Sequence, residues 1–317
     1  MVKHFSMSEA IDCMSDAFAG LSSGTSQVPE RYVADTPGGA LTLLLKPAFA
    51  DDLNTVGVKM LTQRNSGPVE GIPTITGIVM LVDKVTGELL SIMDGEHITA
   101  LRTGAASGLA TQLLSREDAH CMALFGCGSQ GRTQLEAVST VRDIQRIWVF
   151  DSSRERAESF REEMKARVQS EIYIAGSPDA LKEADIICTA TPSEKPLFHK
   201  ADIKAGTHIN AIGSFKPHMQ ELDPDLIQSS RCYFDDRDQC LKSGDMKKAI
   251  RKHGEMAHAL IGEIGELVLG KIPGRGSSDE TTVFKSVGTA IQDLVVADKI
   301  YHQSRTGGFG EEIRIYD

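Results

Sequence analysis

A doubly wound parallel α/β sheet joined to a discontinuous α+β domain is the fold class that this 317-residue sequence predicts. Three observations predict it. From residue 121 onward, short apolar runs alternate with helical segments of crossover length, as parallel strands require. Before residue 95 the apolar runs follow one another with only turn residues between them, which reads as an antiparallel sheet. A long helical segment and a short alternating stretch close the chain, and the latter has no partner among its neighbours.

The elements follow in order. Residues 8–18 carry apolar side chains at 10, 11, 14, 17 and 18, the spacing of an amphipathic helix. Residues 40–45, 55–61, 75–82 and 89–93 are β-rich runs bounded by Gly, Pro and Asp, with residues 84–87 a hairpin turn between the last two. Residues 98–114 form a helix so rich in Ala, Gly and Ser that it must pack closely on a neighbour. The parallel strands are expected at 121–125, 146–150, 171–174, 185–189, 207–212 and 231–235, with helical connections at 153–167 and 178–183. Residues 288–304 read as a long helix and 311–316 as a strand returning to the first sheet. The division expected is residues 1–112, a parallel-sheet domain over 113–288, and a segment 289–317 that rejoins the first domain.

A 41% hydrophobic and 25% charged composition suits a water-soluble globular protein. The formal charge of −10 offers no basic stripe for a phosphate backbone, which argues against nucleic acid as a partner. No run is apolar and long enough for a membrane span or signal peptide. The six cysteines include no C-x-x-C pair and none at metal-ligand spacing to histidine, so reduced thiols in a cytoplasmic protein are expected, with Cys121 and Cys188 in core strands.

One motif carries most of the functional information. CMALFGCGSQGR (121–132) is an apolar run followed by Gly126, Gly128 and Gly131, and RIWVFD (146–151) is a second run ending in an acid. Asp151 falls about 20 residues after Gly131, the separation of a Rossmann-type dinucleotide cradle. Gly126 lets the strand turn, Gly128 lets backbone approach a pyrophosphate, and Gly131 lets the helix pack on its strand. Amides from Ser129, Gln130 and Gly131 then face the phosphates, and Asp151 accepts hydrogen bonds from the adenosine ribose. Ligands of such sheets sit at the strands' carboxyl ends, which also selects Thr189, Ala190 and Thr191, with Gly213 and Ser214.

Outside this motif the candidates are single cations in apolar or small-residue surroundings. Lys59 lies in a β run whose alternation leaves its face open; Arg31 opens another strand; Arg102 lies in an Ala/Gly-rich helix, where it requires a buried anionic partner. Two or three such cations together would clamp a carboxylate. There is no G-x-S-x-G, and none of the nine histidines has metal spacing, so no metal is expected. His97 and His218 are weaker substrate candidates, while Asp245 and Glu255 read as solvated helix residues.

HITALRTGAAS (97–107), THINAIG (207–213) and TVFKSVG (282–288), in order with the glycine turn, resemble the ornithine cyclodeaminase/μ-crystallin family over nearly the whole chain. The resemblance implies a nicotinamide-dependent enzyme, a dimer built through the first domain, and a carboxylate clamp on Arg31, Lys59 and Arg102. It adds Arg102, Thr103, Ser286 and Gly288 to the cofactor residues, and Ser214 and Phe215 to the substrate residues. Cyclodeaminases and a related alanine dehydrogenase carry an acid just after the strand-ending glycine; here that loop is GSFKPHMQEL (213–222) and the aligned position is Phe215. Together with LKSGD (241–245) and TVFKS, this resembles the ketimine-reductase members. Expected is NAD(P)H-dependent reduction of a cyclic imino acid, Δ1-pyrroline-2-carboxylate or Δ1-piperideine-2-carboxylate, with Lys59 also a proton source. A cyclodeaminase or hydroxyproline dehydratase, an alanine dehydrogenase and a non-catalytic ligand-binding relative are the alternatives. Asp151 favours NADH. Arg154 and Arg156 would admit NADPH, unless they pair with Glu155, Glu158 or Glu162 along their helix.

Overall fold

A computed structural model describes residues 5–67 and 69–314. Helix α1 (Met7–Ser23) precedes strands β1 (Ser26–Gln27), β2 (Tyr32–Asp35), β3 (Leu41–Ala50), β4 (Thr55–Arg64), β5 (Ile75–Asp83) and β6 (Leu89–Asp94). Helix α2 (Gly95–Leu114) leads to β7 (Cys121–Phe125), α3 (Ser129–Val141), β8 (Arg146–Phe150), α4 (Arg154–Met164) and β9 (Glu171–Ile174). Then come β10 (Ile186–Thr189), β11 (Glu194–Phe198), β12 (His208–Ala211), β13 (Gln220–Leu222), α5 (Pro224–Gln228) and β14 (Arg231–Phe234). The chain ends with α6 (Arg237–Cys240), α7 (Gly244–His253), β15 (Leu260–Glu263), α8 (Ile264–Val268), β16 (Thr282–Lys285) and α9 (Ala290–Gly307).

Two compact units result. Gly24–Thr99 and the segment starting at Ala290 form the first; Met7–Ser23 and Ala100–Thr289 form the second. Helix α1 thus goes with the parallel sheet rather than with the strands that follow it. The reason is its buried stripe, which packs on α8 and α3.

The first unit is an antiparallel sheet ordered β1-β3-β4-β5-β6, with β2 also on β3. Helix α9 lies on one face. Gly57 of β4 makes the approach possible, since a Cβ there would stand 2.9 Å from Leu294 Cδ1. Alternation sends Thr55, Gly57 and Lys59 to this covered face and Val56, Val58 and Met60 to the other. Register places Met80 beside Val58 and Ile92 beside Met80 on that second face. These side chains are half-buried or exposed, Ile92 to 53%. The expected strand over 311–316 does not form where the structure describes it. Residues 311–314 are irregular and exposed, three of the four being charged, so they have no apolar side to bury; 315–316 lie outside the described residues.

The second unit is an eight-stranded sheet, wholly parallel, ordered β15-β14-β16-β12-β10-β7-β8-β9. The order reverses between β7 and β10, which makes the crevice at their carboxyl ends the natural ligand position. Strand β16 sits centrally, between β14 and β12. Small residues of α2 do pack closely: a Cβ on Gly104 would stand 2.5 Å from the Thr133 carbonyl, and one on Gly108 would stand 2.6 Å from Ile11 Cδ1. The helix is capped by Asp94, which accepts the Glu96 and His97 amides. At its other end the Arg142 guanidinium donates to the carbonyls of Thr111, Gln112 and Ser115. Among the described residues, no helix is long and apolar enough to cross a membrane.

Candidate active site

The glycine turn has the geometry its sequence requires. Gly126 adopts φ +98°, and a Cβ there would meet the Ala190 carbonyl at 2.5 Å, across the switch point. A Cβ on Gly131 would collide with the Gly126 carbonyl, so α3 is seated directly on the turn. Around Gly128 there is open space: nothing lies within 4 Å of a Cβ built on it. Gly128 is also the N-cap of α3, and no side chain caps the helix. The uncapped amides of a 13-residue helix beside open space fit a pyrophosphate.

Asp151 closes the turn. One of its oxygens accepts the Cys127 amide at 2.9 Å; the other accepts the Ser153 amide and the Arg156 guanidinium, whose Nη2 is 2.7 Å away. Burial alone would push this carboxyl up, but Arg156 and the two amides outweigh it and hold the pKa below the ordinary carboxylate value. Arg154 instead pairs with Glu158 along the exposed face of α4. The two arginines therefore differ: Arg154, expected at the cofactor, forms a helix-surface pair with Glu158, and Arg156 pairs with Asp151. A cavity of about 160 Å³ is lined by Phe125, Phe150, Gly176, Pro178, Leu181 and Leu197.

Three loops at the carboxyl ends of β10, β12 and β16 are held by buried acids. Glu221 of β13 accepts five hydrogen bonds: from Thr189 Oγ1, the Thr191 amide and hydroxyl, and the amides of Gly213 and Ser214. Burial pushes its carboxyl up, against the pull of Lys285. Asp245 accepts the amides of Glu221 and Leu222 and pairs with Lys285 at 3.1 Å, both side chains being wholly buried. Asp245 is thus not a solvated helix residue. The cation it faces enters from β16, 40 residues later in the chain. Asp235, at the end of β14, accepts from Ser286 Oγ and the amides of Val287 and Gly288.

The candidate cations fall as follows. Arg102 is 5% exposed and lies against Gly288, where φ is +81° and a Cβ would stand 2.6 Å from its Nη1. Thr103 is buried, and its carbonyl accepts Gln134 Nε2. Lys59, 2% exposed, points to the α9 face, pairs with Asp293 at 3.0 Å and donates to Thr99 Oγ1. Arg31 is exposed, immediately before β2. Ser214 is buried, whereas Phe215 is 51% exposed and Lys216 lies over its ring. His97 is half-buried, and His218 is exposed. Among the described residues, no group of three or more His, Cys, Asp or Glu side chains is placed to hold a metal ion.

Asp293, Asp235, Asp245 and Glu221 were not selected as site residues from the sequence. The signal for Asp293 was available, because it is the one charged residue in the AIQDLVV opening of α9. Asp235 also carried one: like Asp151, it is an acid directly after a buried strand.

The family model described as ornithine cyclodeaminase/mu-crystallin family matches residues 1–308. A Δ1-pyrroline-2-carboxylate reductase of Bacillus cereus is 35% identical over 314 residues, 98% of this chain and 96% of that one. The Thermococcus litoralis Δ1-pyrroline-2-carboxylate reductase, solved in complex with NADH and L-proline, has a TM-score of 0.91 at 33% identity, covering 98% of this chain and 97% of that chain. An archaeal alanine dehydrogenase dimer with bound NAD has a TM-score of 0.90 at 31% identity, covering 99% of this chain and 96% of that chain.

Proposed function

The chain belongs to the ornithine cyclodeaminase/μ-crystallin family, and from that premise we propose that it reduces a cyclic ketimine carboxylate with NADH. The substrates are Δ1-pyrroline-2-carboxylate, Δ1-piperideine-2-carboxylate or both, and the products proline or pipecolate. The observation that carries the reading is the loop after β12. Where a deaminating relative needs an acid for the substrate's amino group, Phe215 stands, and it is exposed. The nearest acid on that loop, Glu221, has both oxygens committed to five donors and is fully buried, so it does not meet a substrate.

When bound, NADH supplies the hydride that a protonated C=N carbon accepts. Gly126–Gly131 and the α3 amides would hold its pyrophosphate, and Asp151 its adenosine ribose. The residues' remaining task is positioning. Lys59 and Arg102 are the cations for the substrate carboxylate, with Arg31 a third, and holding that group orients the adjacent imine carbon. Asp293 and Thr99 aim the Lys59 ammonium. An iminium needs no nucleophile, and the one hydroxyl on the Gly213–Phe215 loop, Ser214, is buried and donates to the Met219 carbonyl. Purified protein given NADH and Δ1-pyrroline-2-carboxylate should form proline in step with loss of reduced cofactor; oxidation of NADH without proline would contradict the reading.

Arg156 decides the second cofactor. A 2′-phosphate would be repelled by Asp151, and Arg156 is the cation already in contact with that acid. NADPH is therefore accepted as well as NADH. Arg156→Ala is expected to lower kcat/KM for NADPH about tenfold and leave NADH within about threefold, since only the 2′-phosphate needs a cation beside Asp151. The ratio of the two kcat/KM values measures it.

The second face of the antiparallel sheet is the dimer surface. Phe49, Val58, Met60, Ile78, Met80 and Ile92 form a continuous apolar side opposite α9. A second copy of the same face is the partner that this composition suits, and a relative of the same fold is a dimer. Met80→Arg should shift the protein from twice the chain's mass to the single chain in light scattering. An unchanged mass would remove this face from the interface. The six cysteines are buried thiols, which suits a cytoplasmic protein.

A further inference from the structure

We propose that Glu221 is a positioning residue for the nicotinamide half of the cofactor, acting through the loops after β10 and β12. The proposal deepens the NADH reading and rests on it. In a doubly wound sheet the glycine turn and the acid after the second strand serve the adenosine and pyrophosphate. The nicotinamide half extends across the switch point toward the later strands, here β10 and β12, whose carboxyl ends carry Thr189–Thr191 and Gly213–Ser214. Glu221 touches no space that a ligand would fill. It stands behind these two loops and joins them: one oxygen takes the Thr191 amide and hydroxyl, the other takes Thr189 Oγ1 and the amides of Gly213 and Ser214.

The fit is close. A Cβ on Gly213 would collide with both the Thr191 carbonyl and Glu221 Oε1, so the two loops and the carboxylate form one packed layer. Three of the five donors are backbone amides, which can only donate, and the Thr189 and Thr191 hydroxyls complete the set. Glu221 is itself placed from behind by Asp245, which takes its amide and whose other oxygen holds Lys285. Lys285 Nζ also donates to the Ala211 carbonyl at the end of β12, closing the network on the same loop. Buried polar groups satisfied this completely fix a single geometry, and removing one partner leaves several donors uncompensated.

Glu221→Gln tests this with almost no change of shape. Either orientation of the amide fails: its NH2 faces the Thr191 amide in one, and the Gly213 and Ser214 amides in the other. Two probes separate the halves of the site. NADH binding is followed by the fluorescence of the reduced nicotinamide, and ADP, which lacks that half, is followed by calorimetry. The expected result is an NADH Kd raised at least tenfold with a loss of the bound-state emission shift, while the ADP Kd stays within twofold and the thermal midpoint shows a folded protein. NADH and ADP affinities both equal to those of the unmodified protein would overturn the proposal. An equal loss of both would also overturn it, as the mark of a merely structural role. If Glu221→Gln does not fold, Thr189→Val removes one of the five donors, and the proposal fails unless NADH weakens more than ADP. Failure of the underlying reading is distinguishable, because the unmodified protein would then bind no NADH.

Discussion

Arg102→Ala should abolish ketimine turnover, lowering kcat/KM by about a thousandfold or more, while NADH still binds within about fivefold. The direction follows from where the side chain lies. Arg102 is nearly buried in a helix rich in Ala, Gly and Ser, against the backbone of Gly288. A guanidinium offers two parallel donors in the plane of a carboxylate, so it sets orientation as well as affinity. Loss of orientation lowers the rate of hydride delivery beyond the loss of binding, and a thousandfold corresponds to about 4 kcal/mol. Steady-state kinetics with Δ1-pyrroline-2-carboxylate, beside NADH fluorescence titration, measures both halves of the statement. A variant of near-normal activity would remove the clamp from the account.

Lys59→Met should lower activity by a similar factor and also weaken the fold. The ammonium is buried in contact with Asp293 and Thr99, on the face of β4 that α9 covers. Removing it leaves the Asp293 carboxylate in low dielectric without that cation, and breaking one side of a buried pair costs about 3 kcal/mol. The thermal midpoint should fall accordingly. Lys59→Met combined with Asp293→Asn should recover most of the stability, because the buried charge goes with its partner, but none of the activity. If the double variant regained turnover, Lys59 would be a structural cation and not a substrate ligand. Chemical denaturation and kcat/KM, measured on the single and double variants, separate the two roles.

The site was legible in the sequence where chemistry is local. Gly126, Gly131 and Asp151 are constrained by backbone geometry within one strand–turn–helix–strand unit: the two glycines make the turn and the close packing their spacing implied, and Asp151 closes the turn on the Cys127 amide. Lys59 was visible as a lone cation, but its face was not. Alternation permits two answers, and only the seating of α9 against Gly57 selects one. Asp245 was misread because α7 is rich in charge, and nothing in GDMKKAIRKH says that Lys285 arrives from β16 to bury it. Strand β16 is not legible as a strand in the sequence, since a run of four residues carries little periodicity of its own. The stretch after residue 310 alternates as a strand would, yet residues 311–314 are irregular and exposed, because periodicity alone does not bring a second strand alongside. Long-range pairing is what local pattern omits: Glu221 reaches Thr189 and Thr191, Asp245 meets Lys285 and Asp235 meets Ser286, each across 30 or more residues.

The central claim is that this scaffold transfers hydride to a cyclic carbon–nitrogen double bond rather than expelling ammonia from a diamino acid. A single panel tests it most directly: purified protein with NADH and Δ1-pyrroline-2-carboxylate, Δ1-piperideine-2-carboxylate, or pyruvate plus ammonia, and in parallel with ornithine and a trace of NAD⁺. The account predicts saturable loss of reduced cofactor with one or both cyclic imines, little with pyruvate plus ammonia, and no ammonia from ornithine. Ammonia and proline appearing from ornithine with catalytic NAD⁺, while both imines remain unreduced, would contradict it.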